Sequence, residues 1–374
     1  MKPNHTIYAA IAFERFAWYA MLGALVLQRG EDAVGNLLAA AYLLPLLGGL
    51  LSAWAGLRTV TVAGALVLAA GYGLAAGDTG TAALGVLALG CGLFKPCLGT
   101  LLGSLHKPGP ERANAYSRYY VAIQIGSAPS TLVGAWLRTS YGFWAVFAIC
   151  AAAALVTVAI LAAGWRRLQP ARESIAEAVI DEAITRPQWG RLAALLVGAV
   201  VFFGAFQQQQ TMLVVWARDI CRATYPESLS SLNPLLCMLF LLVPAIGAWS
   251  SLRERLTCAM LSIGAAFALL VVAKHVGGTS LAWLCAWYVL GTLGEALISP
   301  LGMDFVTSLV PRRLSAVAMS LWLLAMSAGG KLAGLASPNT IGLTMGACLA
   351  AAAWFFVAER PRRAAVAVAE EATT

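Results

Sequence analysis

Stretches of about twenty mainly apolar residues succeed one another along the chain. They fall at 6–28, 33–54, 59–76, 81–105, 115–137 and 143–164, then at 192–216, 229–251, 255–273, 279–303, 315–335 and 340–357. A helix needs about 20 residues to cross the hydrocarbon core of a bilayer. Backbone polar groups in that core must be satisfied internally, so the pattern predicts membrane-spanning helices, six on either side of a polar interval. The interval at 165–191 predicts a short interfacial helix. Ser174 and Glu177 form a capping box, Ile175, Val179, Ile180 and Ile184 give an apolar side, and Pro187 stops it. The expected organisation is a six-helix bundle at 1–164, the linker at 165–191, a second bundle at 192–357 and a tail at 358–374.

Composition and charge sharpen this picture. Of 374 residues, 60% are hydrophobic and 11% charged, and the mean hydropathy is +0.78. A soluble domain is nearer half apolar and a quarter charged, which excludes a water-soluble enzyme or a disordered tail. The net charge of +8 would suggest nucleic acid only in a soluble chain; here the placement of Lys and Arg reports orientation. With the N-terminus inside, cytoplasmic segments hold 17 Lys and Arg, outer segments five, and three lie within spans. Both termini are therefore expected in the cytoplasm, in a multi-pass protein of a bacterial inner membrane. No cleavable leader is expected, because the first apolar stretch carries Glu14 and Arg15. The eight cysteines, without a CxxC, read as buried small hydrophobes rather than metal ligands or disulfides. The fold class is all-α, with 12 transmembrane helices in two six-helix bundles. That layout is similar to the major facilitator fold, whose substrate lies between the halves at mid-membrane.

Ionised groups inside spans are costly, and each is a functional candidate. The chain has Glu14, Arg15, Lys95, Glu295 and Lys331. Glu14 and Arg15 are neighbours whose side chains leave a helix about 100° apart, so each is expected to find its own partner across the cavity. Arg15 shares a face with Tyr19, where a guanidinium and a phenol converge on one anion. Lys95 precedes Pro96, which frees the Gly92 carbonyl and predicts a bend at a cavity site. Glu295 follows Gly294 in an apolar span broken by Pro300, whereas Lys331 is placed to snorkel to the headgroups. Gln207, Gln208, Gln209 and Gln210 cover every face of one turn, so at least one is expected to face the cavity and others to join helices.

These motifs resemble the proton-dependent oligopeptide transporter family, a branch of the major facilitators. Glu14-Arg15-Phe16-Ala17-Trp18-Tyr19 is similar to ExxERFxYYG, Gly92-Leu93-Phe94-Lys95-Pro96-Cys97 to GxxFKPN, and Tyr119-Tyr120 through Gly126-Ser127 to FYxxINxGS. Asn233-Pro234, Gly294-Glu295 and Leu321-Trp322 continue the match in order through the second half. The resemblance implies that Arg15, Lys95 and Tyr19 hold a peptide carboxylate. It implies that Glu295, Gln124 and Asn233 hold the amino group and that Trp322 walls a side-chain pocket. Tyr42 and Gln207 complete the expected substrate-binding set. Cations in one half and an anion in the other suit a zwitterion.

The departures concern proton coupling. The first Glu of ExxER is Ile11, the acid of the span 7 FEQ motif is Gln207, the Arg after the span 1 tyrosines is Leu22, and the Asp at the span 2–3 boundary is Ala53. Leu22 and Gln207 read as two halves of one lost ion pair, since a lone buried charge is costly. Glu14 and Glu295 remain as proton-coupling candidates. The expected function is secondary transport of di- or tripeptides or peptide-like zwitterions by alternating access, with proton coupling weakened or lost. The alternatives are an exporter or facilitator of a peptide-like metabolite and a non-transporting peptide receptor. A membrane enzyme is not expected, because His5, His106 and His275 are widely spaced in loops or near a terminus and no HxxxH occurs. The expected partners are a small peptide and the lipid bilayer, with no nucleic acid, no metal and no cofactor beyond coupling protons, in a monomer.

Overall fold

The computed structural model describes residues 3–29, 33, 36–37, 40–41, 43–107, 109–168, 186–210, 212–223, 229, 231–243, 252–311, 314–333 and 339–358. The first half holds α1 (Pro3–Arg29), α2 (Pro45–Ala55), α3 (Leu57–Gly77), α4 (Thr81–Ser104), α5 (Pro110–Tyr141) and α6 (Phe143–Gly164). The second holds α7 (Arg186–Phe206), α8 (Leu232–Leu241), α9 (Leu252–His275), α10 (Ala282–Ser308), α11 (Ser315–Ala333) and α12 (Ile341–Ala358). A 3-10 turn, Gln207–Gln210, and a short helix, Met212–Asp219, continue α7. Among the described residues there is no strand. Among the described residues seven helices (α3, α4, α6, α7, α9, α10 and α11) are long and apolar enough to cross a membrane. At 27 and 32 residues, α1 and α5 are also long, but they are less apolar because they carry much of the polar chemistry.

Within the first half α1 packs on α5 and α6, and α4 on α2 and α3; within the second, α9 packs on α10 and α12, and α7 on α11. Each half has an aromatic core. Tyr72, Phe94 and Phe147 are buried in the first; Phe202, Phe203, Phe267 and Trp287 are buried in the second. The halves meet along α5–α8, α5–α10, α2–α11 and α4–α11. Where α4 leads into α5 and α10 towards α11, Arg112 Nε donates to Asp304 Oδ1 at 2.5 Å, and the Tyr116 hydroxyl lies 3.3 Å from Thr307 Oγ1. Ser320 Oγ donates to the Pro45 carbonyl at 2.6 Å. Gly49 permits this approach: a Cβ there would stand 2.8 Å from Ser320 Oγ and 2.9 Å from the Ala316 carbonyl.

Several local expectations change. Span 2 is interrupted by a turn at Leu44, and α2 starts at Pro45, a residue tolerated at a helix start because its missing N–H would be orphaned there anyway. Pro187 likewise stands in the first turn of α7 and opens that helix instead of ending the linker helix. The proposed interfacial helix falls on 169–185, outside the described residues, as do Tyr42 and the tail from 359. The four glutamines form a 3-10 turn, which breaks the seventh span in two. α4 runs on through Pro96, and the Gly92 carbonyl that Pro96 frees faces Gly48 of α2 at close range.

Candidate functional site

Two polar clusters face one another across the halves. In the first, Glu14 and Arg15 are 1% and 8% exposed. The sequence expectation that each would find its own partner is overturned, because they pair with one another. Arg15 Nε and Nη2 donate to Glu14 Oε2 and Oε1, both at 2.5 Å. The physical reason is length: the arginine side chain is long enough to curl back, so the 100° separation of the Cβ directions does not keep the charged ends apart. The fork-to-carboxylate geometry then supplies two parallel charge-assisted bonds.

Trp18 organises the cations. Lys95 Nζ lies 3.9 Å from its ring centroid, and Arg15 Cζ lies 5.8 Å from it. Such cation–π contacts keep positive charge in a site of low polarity. Arg15 Cζ also stands 6.0 Å from the Tyr19 ring, and Lys95 reaches the Cys91 thiol one turn back. The structure thus brings together Arg15, Tyr19 and Lys95 as the sequence predicts. Trp18 is the member that the reading missed, because an aromatic at helical spacing reads as core.

In the second cluster, Glu295 of α10 accepts from the Tyr120 hydroxyl of α5 at 2.5 Å and from Asn233 Nδ2 of α8 at 2.7 Å. Asn233 also donates to Thr292 Oγ1 at 3.1 Å. Gln124 is 5% exposed; it accepts from Ser127 Oγ at 3.2 Å and bonds the Cys237 thiol, which lies near Glu295. Glu295, Asn233 and Gln124 therefore share one neighbourhood. Tyr120, absent from the expected set although it stands in the quoted motif, ties Glu295 to the opposite half. Tyr19 lies within electrostatic reach of both Arg15 and Glu295, and so links the two clusters.

Other candidates sit apart from these contacts. Trp322 is 1% exposed, edge-on to Phe203 at 6.0 Å and pressed against Gly302; in this arrangement it is core of the second half. Gln207 is half-buried beside Gly330. Gln208 joins helices by donating to Gly204 O at 3.3 Å and Thr344 Oγ1 at 3.1 Å. Ile11, where the family motif has an acid, is buried among apolar residues. Arg112 and Asp304 were also missed. Arg112 reads as one more basic residue of the inner side, and only the partner in the other half distinguishes it.

Two bundles of apolar spans that carry buried charges of opposite sign suit a membrane carrier. The chain belongs to the Major Facilitator Superfamily, whose family profile matches residues 7–334. It is similar to a dipeptide and tripeptide permease A of Chromobacterium violaceum (28% identical, covering 89% of this chain and 84% of the relative). It is similar also to the protein of that name from Escherichia coli K12 (27%, covering 91% and 85%). Among solved structures, a peptide transporter POT in complex with sulfate superposes with a TM-score of 0.69 at 22% identity, covering 94% of this chain and 93% of that one. The POT family transporter PepTSo gives 0.69 at 19%, covering 94% and 96%.

Proposed function

We propose that this protein carries di- and tripeptides, or zwitterions of similar form, across the membrane by alternating access. The observation that carries the reading is the division of charge: Arg15 and Lys95 gather round Trp18 in one half, and Glu295 is held by Asn233 in the other. A peptide's carboxylate meets the first group and its ammonium the second. The internal Glu14–Arg15 pair refines this. With Glu14 ionised the pair is neutral and Lys95 supplies the net positive charge. Protonation of Glu14 removes the charge on Arg15's partner and frees the guanidinium for substrate. Glu14 and Glu295 are then the two acids left to carry a proton, while Ile11 and Gln207 have nothing to titrate. Coupling is accordingly weak, and peptide gradients supply most of the driving force. The names of the relatives, permeases and transporters, do not favour a receptor or an enzyme.

The test is uptake of a labelled dipeptide into proteoliposomes, with and without an imposed proton gradient. Saturable uptake that needs no gradient is the expected result. Absence of dipeptide uptake under both conditions would overturn the reading.

A further inference from the structure

At the basic end of the first half, an open pocket of about 480 Å³ is lined by Val62 of α3, by Ala162 and Ala163 of α6, and by Trp165, Arg166 and Arg167 just beyond α6. That size falls within the usual range for small-ligand sites, roughly 300–1,000 Å³. Arg58 stands at its rim: the guanidinium lies 4.8 Å from the Trp165 ring centroid, and Nη1 donates to the Trp165 carbonyl at 2.9 Å. We infer that this cavity is a binding site for the phosphodiester headgroup of an anionic phospholipid.

Four observations converge on that class of ligand. Arg58, Arg166 and Arg167 carry planar donors suited to phosphate oxygens, and among the described residues none that lines the pocket is acidic, to pair with a choline or ethanolamine ammonium. The floor of Val62, Ala162 and Ala163 is apolar, which a free phosphate does not need. The exposed apolar side chains Leu66 and Leu155, one and two turns away along α3 and α6, continue that surface as a path for an acyl chain. Trp165, half in and half out, sits at the helix end where headgroups and aromatic side chains meet. Basic pockets between spans, on the side rich in Lys and Arg, bind anionic headgroups in this way.

The test uses the full chain in mild detergent, read by native mass spectrometry and thermal unfolding during titration with dioleoylphosphatidylglycerol, dioleoylphosphatidylcholine or inorganic phosphate. The expected result is one phosphatidylglycerol retained per chain, at least roughly fivefold in excess over phosphatidylcholine. Arg58→Gln with Arg166→Gln should lower that retention roughly tenfold. Arg58→Lys with Arg166→Lys should keep most of it, and Arg253→Gln, at the basic end of the other half, should keep all of it. Equal retention of the two lipids by the wild type overturns the proposal without recourse to any variant. So does retention unchanged in the Gln pair, or stabilisation by millimolar phosphate alone that matches the lipid's.

Discussion

Arg112→Gln should loosen the contact that holds the two halves together. The wild-type pair is short, 2.5 Å from Nε to Oδ1 of Asp304, and its side chains are only 7% and 13% exposed. Arg112 Nη2 adds a 3.3 Å bond to the Asp304 carbonyl. A hydrogen bond to a charged group contributes about 1.5–3 kcal/mol net. If the pair forms only when this end is closed, its loss shifts the closed-to-open ratio by roughly 10- to 150-fold, at 1.4 kcal/mol per factor of ten. Arg112 is a better choice than Asp304 for the substitution. Arg255 of α9 lies within electrostatic reach of Asp304, so the carboxylate left behind keeps a cation, whereas Asp304→Asn leaves the buried Arg112 without its carboxylate. The assay is the spin-label distance between Ser104→Cys and Ser315→Cys, at the ends of α4 and α11, in a background without the reactive native cysteines. The long-distance population should grow in Arg112→Gln and stay near the wild-type level in Arg112→Lys, which keeps a cation beside Asp304. A distance distribution identical in wild type and Arg112→Gln would refute the argument that this pair sets the equilibrium.

Gly49→Val should hold the halves apart at a second seam: with a Cβ already 2.8 Å from Ser320 Oγ, the branched side chain bars α2 from α11. Transport should fall at least tenfold while helix content by circular dichroism is kept, and normal turnover would contradict the close-packing account. Tyr120→Phe removes the hydroxyl that links Glu295 to α5; because an ammonium group of the substrate can take over that lone pair, peptide affinity should change less than in Glu295→Gln, as isothermal calorimetry would report. Glu14→Gln should leave gradient-free exchange of dipeptide largely intact and remove whatever accumulation a pH gradient drives. The check is proton flux per substrate in liposomes, and strong pH-driven accumulation surviving in that variant would exclude Glu14 as the proton site.

The spans were legible because a bilayer demands roughly the same apolar length of each one, and the charged candidates because each violates that demand. Arg15 and Lys95 could be placed together from the sequence, as could Glu295 and Asn233, since rare polar residues in hydrocarbon must converge on a common polar space. Rotamer choice was not legible. Whether Arg15 reaches outward or folds back on Glu14 depends on the space that Trp18 and Tyr19 leave it, which is a tertiary property. Cross-half partners were hidden for a related reason. Arg112 and Tyr120 each have plausible local roles, and nothing in a single chain's periodicity says that Asp304 and Glu295, 192 and 175 residues away, stand opposite them. Trp322 packs against Phe203 and Gly302 in this arrangement, a contact that its motif position does not reveal.

The most direct test of a site that reads both ends of a zwitterion is to remove the ends one at a time. Binding of alanyl-alanine, its N-acetyl form and its C-terminal amide should be measured on wild type, Glu295→Gln and Lys95→Gln. In wild type each blocked peptide should bind roughly tenfold or more weakly, the loss of one charge-assisted contact. In Glu295→Gln the penalty for N-acetylation should largely vanish while the penalty for amidation stays, and Lys95→Gln should show the reverse. N-acetylation penalties that are equal in wild type and Glu295→Gln would contradict the assignment of the two ends to the two halves.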